Sequence, residues 1–155
     1  MKSPGGAART IHTSTHNYLH IVFGTKKRTS LISKPRQPQL WSYIVGICRN
    51  HDIVAFAVGG MADHVHALVR LPPVLSLAKA VSVIKANSSR WMGEHGDTFA
   101  WQEGYGAFSV SASNLRSVGK YIREQEMHHR KMSCAVEYDM LAAQHEKCVP
   151  PFQGS

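Results

Sequence analysis

Cysteine, acidic residues and long apolar runs are all scarce in this sequence, and each shortage excludes a class of protein. There are three cysteines, Cys48, Cys134 and Cys148, an odd number with no CxxC pair. That count argues against a disulfide framework and against a cysteine-based zinc site, and it fits a reducing cytoplasm. No apolar run approaches the ~18 residues of a membrane span. The first nine residues carry Lys2 and Arg9 without an apolar core, which predicts no signal peptide. Asp and Glu total 10 against 18 Lys and Arg, a formal charge of +8. Such a surplus attracts polyanions, nucleic acid first among them. An anionic membrane is the rival, but no basic helix carries the broad apolar face it needs. There is no internal repeat and no low-complexity segment.

What is present suits one folded domain. The 155 residues are 43% hydrophobic and 18% charged, the balance of a globular chain. Residues 1–15 read as a loose tail. Asn17–Phe23 alternates, with Leu19, Ile21 and Phe23 facing one way and Tyr18, His20 and Val22 the other, which predicts a strand. A basic loop, Lys26-Lys27-Arg28, follows. Pro35–Asn50 predicts a helix with Leu40, Ile44, Ile47 and Cys48 inside. Ile53–Val58 and His64–Leu71 predict an antiparallel hairpin turning at Gly59-Gly60. Ser76 caps a second helix to about Met92, with Leu77, Ala80, Val81 and Ile84 inward. Phe108–Ser111 is a short fourth strand. Ser113 caps a third helix through about Arg130, and Glu137–Glu146 is a last short helix within a tail of residues 132–155. The β-α-β-β-α-β order is that of an α+β, ferredoxin-like (RRM-like) domain over residues 16–131. Its antiparallel sheet carries helices on one face, and the third helix is a C-terminal addition.

Two pairs of residues carry chemistry. His64 and His66 lie two apart in a strand, so both imidazoles face one side with Cβ atoms about 7 Å apart. The plainer reading is a pair of surface histidines. A histidine-triad hydrolase wants another His where Leu68 stands, and structural zinc wants further Cys or His at short spacing. Two His with an oxygen ligand and open positions suit Mg²⁺ or Mn²⁺ in phosphate chemistry. Tyr121 and Gln125 lie at i and i+4, neighbours on one helix face, among Arg116, Lys120, Arg123 and Arg130. A core tyrosine is the plainer reading here. Ile122 and Val118 hold the apolar stripe, however, which leaves Tyr121 and Gln125 toward its edge. A phenol ionises near pH 10, so a nucleophilic Tyr needs nearby positive charge.

The segments HNYLHIVFGTKKR, GGMADHVHALVRLPP, LAKAVSVIKANSSRW and FAWQEGYGAFSVSASNLRSVGKYIREQEMHH together resemble the single-tyrosine HUH transposases of bacterial insertion sequences. Within that group they look most like the REP-associated tyrosine transposases. The resemblance implies that His64, His66 and Gln125 hold the metal and that Tyr121 is the nucleophile. It also implies cleavage and rejoining of hairpin-bearing single-stranded DNA, whether REP-like or an element end, through a 5′-phosphotyrosine. A homodimer at the nucleoid is implied too, with the tyrosine helix of one subunit completing the His pair of the other. Lys26, Lys27, Arg28, Lys85, Arg90, Lys120 and Arg123 are the expected DNA contacts, with Lys79 and Ser89 as further candidates. Trp41, Trp91, Trp101 and Tyr105 are candidates for base stacking, although burial fits the tryptophans better. The 4-residue spacing of His12, His16 and His20 suggests a helical metal site, but the strand over Asn17–Phe23 breaks it. His128 and His129 are possible DNA contacts or simply exposed. The competing reading is a non-catalytic RRM-like nucleic-acid-binding module, which lacks support from any RNP motif. A replication-initiator nickase shares the chemistry but is expected to be larger.

Overall fold

The structure, a computed structural model, describes residues 13–125, 127 and 132–146. Its elements are β1 (Asn17–Gly24), α1 (Arg36–Asn50), β2 (Val54–Met61), β3 (His64–Leu71), α2 (Leu77–Glu94), β4 (Gly106–Ser109), α3 (Leu115–Arg123) and α4 (Cys134–Glu146). All strand pairs are antiparallel, in the order β2-β3-β1-β4. This is the expected α+β arrangement. β3 is central and pairs along its whole length with β1, from Asn17↔Leu71 to Gly24↔His64.

The two faces of the sheet are used differently. Leu19, Ile21 and Phe23 of β1 and Val65, Ala67, Val69 and Leu71 of β3 join Leu40, Ile44, Ile47 and Cys48 of α1 and Ala80, Val81 and Ile84 of α2 in the main core. The inward stripes expected of both helices are thus buried. Ser76 caps α2 by accepting from the Lys79 N–H at 3.1 Å, a bond worth about 1 kcal/mol. On the opposite face α3 lays Ile122 onto Ala57 and Leu68, flanked by Leu115, Val118 and Tyr121. That face carries the alternate residues of β3, His64 and His66 among them. It is covered rather than open, unlike the aromatic platform of an RRM.

Three local expectations are corrected. Gly59 and Gly60 lie inside β2, and the hairpin turns at Ala62-Asp63. A side chain at Gly59 would bring its Cβ to 2.5 Å from the Ile122 carbonyl oxygen, so this glycine serves the close passage of α3. The fourth strand begins earlier, at Gly106, where a Cβ would lie 2.6 Å from the ring of Tyr138 on α4. Ser113 does not cap α3. It pairs with the Ser111 hydroxyl inside a 3-10 turn over Ala112–Asn114, and the helix starts after Asn114. Regular α3 geometry ends at Arg123, and residues 128–131, including His128, His129 and Arg130, lie outside the described residues. His12 also lies outside them.

Gly59→Ala should therefore destabilise the fold by about 1–3 kcal/mol through overpacking. Gly46→Ala, in α1 with nothing within 4 Å of the added Cβ, should stabilise it by roughly 0.5–1 kcal/mol. Urea midpoints of the two variants check the contrast. Equal midpoints would remove the close-approach role of Gly59.

Candidate active site and metal centre

The period of β3 aims His64 and His66 at the α3 face, where both are completely buried, at 0% and 1% exposure. Buried imidazoles need partners on both nitrogens, and each ring is held from behind. Asp63, in the hairpin turn, accepts from His64 Nδ1 at 2.7 Å. The bond from His64, joined by the charge of Arg28, holds the Asp63 carboxyl below the usual carboxylate range against the opposing pull of burial. His66 Nδ1 lies 2.7 Å from Nε2 of His20, whose ring is also buried. Burial, reinforced by the neighbouring His66, pushes His20 down to about 3, so its ring is neutral near pH 7. One proton is shared between these two nitrogens, which fixes the orientation of the His66 ring. Both β3 histidines therefore turn Nε2 toward the same interior point. Fixing the ligand nitrogen through the far nitrogen is the usual way a protein prepares a metal-binding histidine.

Gln125, Tyr121 and Glu137 meet them there. Gln125 is 2% exposed, with its Oε1 3.2 Å from His64 Nε2 and its amide donating to Glu137 Oε1 at 3.1 Å. The Tyr121 hydroxyl donates to the same Glu137 oxygen. That oxygen lies 3.0 Å from His66 Nε2, and Glu137 Oε2 lies 3.8 Å from His64 Nε2. Burial alone would raise Glu137. The bond and charge of His66, with the bonds from Tyr121 and Gln125, outweigh it and keep the carboxyl well below its ordinary range.

The donor atoms suit a divalent cation. Once Asp63 takes the Nδ1 proton, the His64 Nε2 lone pair faces an amide oxygen and a carboxylate oxygen, all acceptors. Such a convergence calls for a proton or a metal ion. His64, His66 and Glu137 offer ligand atoms within 4.8 Å of one another, a two-histidine, one-carboxylate set that first-row metals and Mg²⁺ accept.

The remaining candidates are placed less uniformly. The basic loop forms a 3-10 turn over Lys26–Arg28 with Lys27 and Arg28 at positive φ, 57° and 56°. It abuts the active end of the sheet, because Thr25 bonds the Asp63 carbonyl through its N–H at 2.9 Å and its hydroxyl at 3.2 Å. Arg123 lines a groove of about 320 Å³ with Lys34, Gln37, Trp41 and Gln125, and Lys120 is exposed on α3. Lys85 and Arg90 lie on α2, across the sheet from the histidines. Lys85 donates to the carbonyls of Gln102 and Gly104, both at 2.7 Å, and ties down that loop. Arg90 bonds Asn87 at 2.9 Å and pairs with Glu94 at 3.8 Å. Trp41, Trp91 and Trp101 pack against the main core, and Tyr105 is 40% exposed. Within the single chain, Tyr121 and Gln125 lie beside the His pair of that same chain.

Sequence reasoning missed Asp63, His20 and Glu137. Asp63 was available as the neighbour of His64 in the hairpin turn. His20 was available from strand alternation, which puts it on the histidine face. Glu137 had no local signal.

Residues 13–125 match the family described as IS200-like transposases. The chain is 26% identical over 122 residues to the transposase of insertion sequence element IS200 from Salmonella typhimurium, covering 74% of this chain and 80% of that protein. The IS200 transposase of Salmonella typhi matches equally. Among solved structures, a putative transposase from Deinococcus radiodurans R1 superposes with a TM-score of 0.59 at 22% identity, over 81% of this chain and 98% of that one. A REP-associated tyrosine transposase bound to a REP hairpin superposes with a TM-score of 0.56 at 15% identity, over 77% and 74%.

The titration of the site has a definite sign. Between pH 6.5 and about 3 the unfolded chain binds a proton at His20 that the folded chain excludes, so stability falls as pH falls through that window. The depressed Asp63 carboxyl acts in the same direction. Urea midpoints measured in chelator from pH 7 to pH 4 should decline, and His20→Gln should make the decline shallower. An unchanged slope in His20→Gln would contradict the burial of a neutral ring.

Proposed function

The chain belongs to the IS200-like transposase family, and from that premise we propose that it cleaves and rejoins single-stranded DNA with Tyr121 as the nucleophile. One observation carries the reading: the Tyr121 hydroxyl and the Nε2 atoms of both β3 histidines converge on one buried carboxylate. His64, His66 and Gln125 hold a divalent cation, Mg²⁺ or Mn²⁺. When bound, it supplies Lewis-acid polarisation of the scissile phosphate and charge that favours the phenolate.

The chain's own residues do the rest. α3 carries Tyr121, and Gln125 follows just beyond its end with its amide donating to the Tyr121 carbonyl at 3.5 Å, so the residue that attacks and a residue that binds the metal are held together. Asp63 and His20 hold the two imidazoles against rotation. Lys26, Lys27 and Arg28 lie beside the histidine end of the sheet, where they guide the DNA backbone inward. Lys120 and Arg123 extend that surface along α3. The Tyr121 oxygen attacks phosphorus, the bond to the 3′ oxygen breaks, and the products are a 5′-phosphotyrosine and a free 3′-OH. The phosphodiester free energy is kept in the new bond, so a 3′-OH can reverse the step without ATP. Positioning and electrostatic stabilisation account for most of the rate.

The substrate we propose is a hairpin-bearing single strand, as in the REP-associated relative whose structure holds a REP hairpin. Strand exchange needs two DNA ends and each chain has one such tyrosine, so the working form is a homodimer at the nucleoid. Each subunit then holds a complete site of its own.

On a hairpin oligonucleotide with Mg²⁺ or Mn²⁺, wild type should give a covalent adduct on denaturing gels. Tyr121→Phe should lose it by at least about 1,000-fold while still binding the DNA. His64→Ala, His66→Ala and EDTA should abolish cleavage, and perfect duplex should stay intact. An undiminished adduct in Tyr121→Phe, or full cleavage in EDTA, would defeat this assignment. In a second test, a His64→Ala/His66→Ala chain is mixed with a Tyr121→Phe chain. With sites complete in each chain, the mixture should stay at background even where heterodimers are demonstrated. Recovered cleavage would mean that the tyrosine helices exchange.

A further inference from the structure

We infer that Glu137 is a ligand of the same metal, so that the C-terminal helix α4 completes the active site and is held in place by the ion. The inference rests on the metal reading above and concerns a residue beyond the family-matched segment 13–125.

Three observations support it. First, the position is that of a ligand. Glu137 is 2% exposed, and its two oxygens lie 3.0 Å from His66 Nε2 and 3.8 Å from His64 Nε2. The carboxylate thus faces both nitrogens that Asp63 and His20 turn inward. Second, the charge balance favours it. His64, His66 and Gln125 are a neutral ligand set, which leaves a buried dication at full charge. One carboxylate removes half of that charge in a region with little water to screen it. Third, contacts outside the site bring α4 up to it, where the ion would fasten it further. Tyr138 lies against Gly106, where no larger residue fits. The Phe108 ring contacts Tyr138 at 5.9 Å and His145 at 4.8 Å between centroids. His145 Nε2 lies 3.2 Å from the Ser109 carbonyl oxygen. The β4 edge therefore sets α4 down with Glu137 at the histidines.

The arrangement also gives Glu137 a positioning role. Its Oε1 takes hydrogen bonds from the Tyr121 hydroxyl and the Gln125 amide. The amide bond turns Gln125 Oε1 toward His64, and the hydroxyl bond holds the nucleophile beside the ion. The rival occupant of this role is a stand-in: a carboxylate lying where the scissile phosphate must go, which α4 withdraws before reaction.

The test is Mn²⁺ binding to the full chain without DNA, by calorimetry and by electron paramagnetic resonance. Hydrogen exchange of residues 134–146 is followed with and without the ion. Glu137→Gln keeps an acceptor for Tyr121 and so keeps the fold, which a thermal melt verifies. Glu137→Ala removes the acceptor altogether. If Glu137 is a ligand, both variants bind Mn²⁺ at least about tenfold more weakly, and Mn²⁺ slows exchange in α4 of wild type but not of either variant. Affinity within twofold of wild type in both variants, with α4 exchange indifferent to Mn²⁺, would overturn the inference in favour of the stand-in. His64→Ala/His66→Ala separates the two levels. If that variant loses Mn²⁺ while both Glu137 variants keep it, only this inference falls. If wild type binds no Mn²⁺, the metal reading falls with it.

Discussion

The site depends on one geometric constraint, the two-residue period of a strand whose two faces are both buried. β3 is flanked by β1 and β2 and covered above and below. Val65, Ala67, Val69 and Leu71 are committed to the α1/α2 core. A slip of one residue would drive both imidazoles into that core and expose four apolar side chains to the histidine pocket. The hydrophobic core therefore sets the direction of His64 and His66 more firmly than any contact inside the site. The histidine face can be tuned for chemistry because the larger apolar core lies on the other face.

The electrostatics follow the same division. Three groups that would otherwise carry charge or rotate freely are gathered at one end of the sheet. Asp63 takes the far nitrogen of His64, a neutral His20 takes the far nitrogen of His66, and Arg28 stands near Asp63. The ligand-facing nitrogens are thus defined from behind, through the far nitrogens of the two rings. Displacing the Asp63 or His20 side chain would alter the site without touching a residue that does the chemistry.

Legibility from the sequence tracked the range of the interaction. Patterns with a short period were readable: His64 with His66 at period two, Tyr121 with Gln125 one helical turn apart, and the buried stripes of α1 and α2. Signals with two physical meanings were ambiguous. Gly59-Gly60 reads as a turn because glycine favours turns, yet here Gly59 admits the backbone of α3 and Gly60 that of β3. His20 was readable as a member of the histidine face but not as a partner of His66. That contact follows from the register Val22↔His66, which makes His20 a diagonal cross-strand neighbour. Glu137 was the least legible. Its place depends on how α4 docks against Gly106 and Phe108, and no spacing rule within one helix encodes a contact with a distant strand.

The residues at the site come from β1, β3, α3 and α4, so they are scattered from His20 to Glu137 along the chain. Contacts between such distant segments form late, because the loops that separate them must close first. A nascent chain is made from its N-terminus and folds in that direction. The sheet and its main core can form while later residues are still being added, and the carboxylate that joins Tyr121 to the histidines emerges after them. A chain made only as far as α3 would thus hold the sheet, its main core and the basic turn over Lys26–Arg28, yet lack the carboxylate that meets Tyr121 and the histidines. Synthesis of the chain itself orders the two, with the sheet arriving before the closure of its histidine pocket.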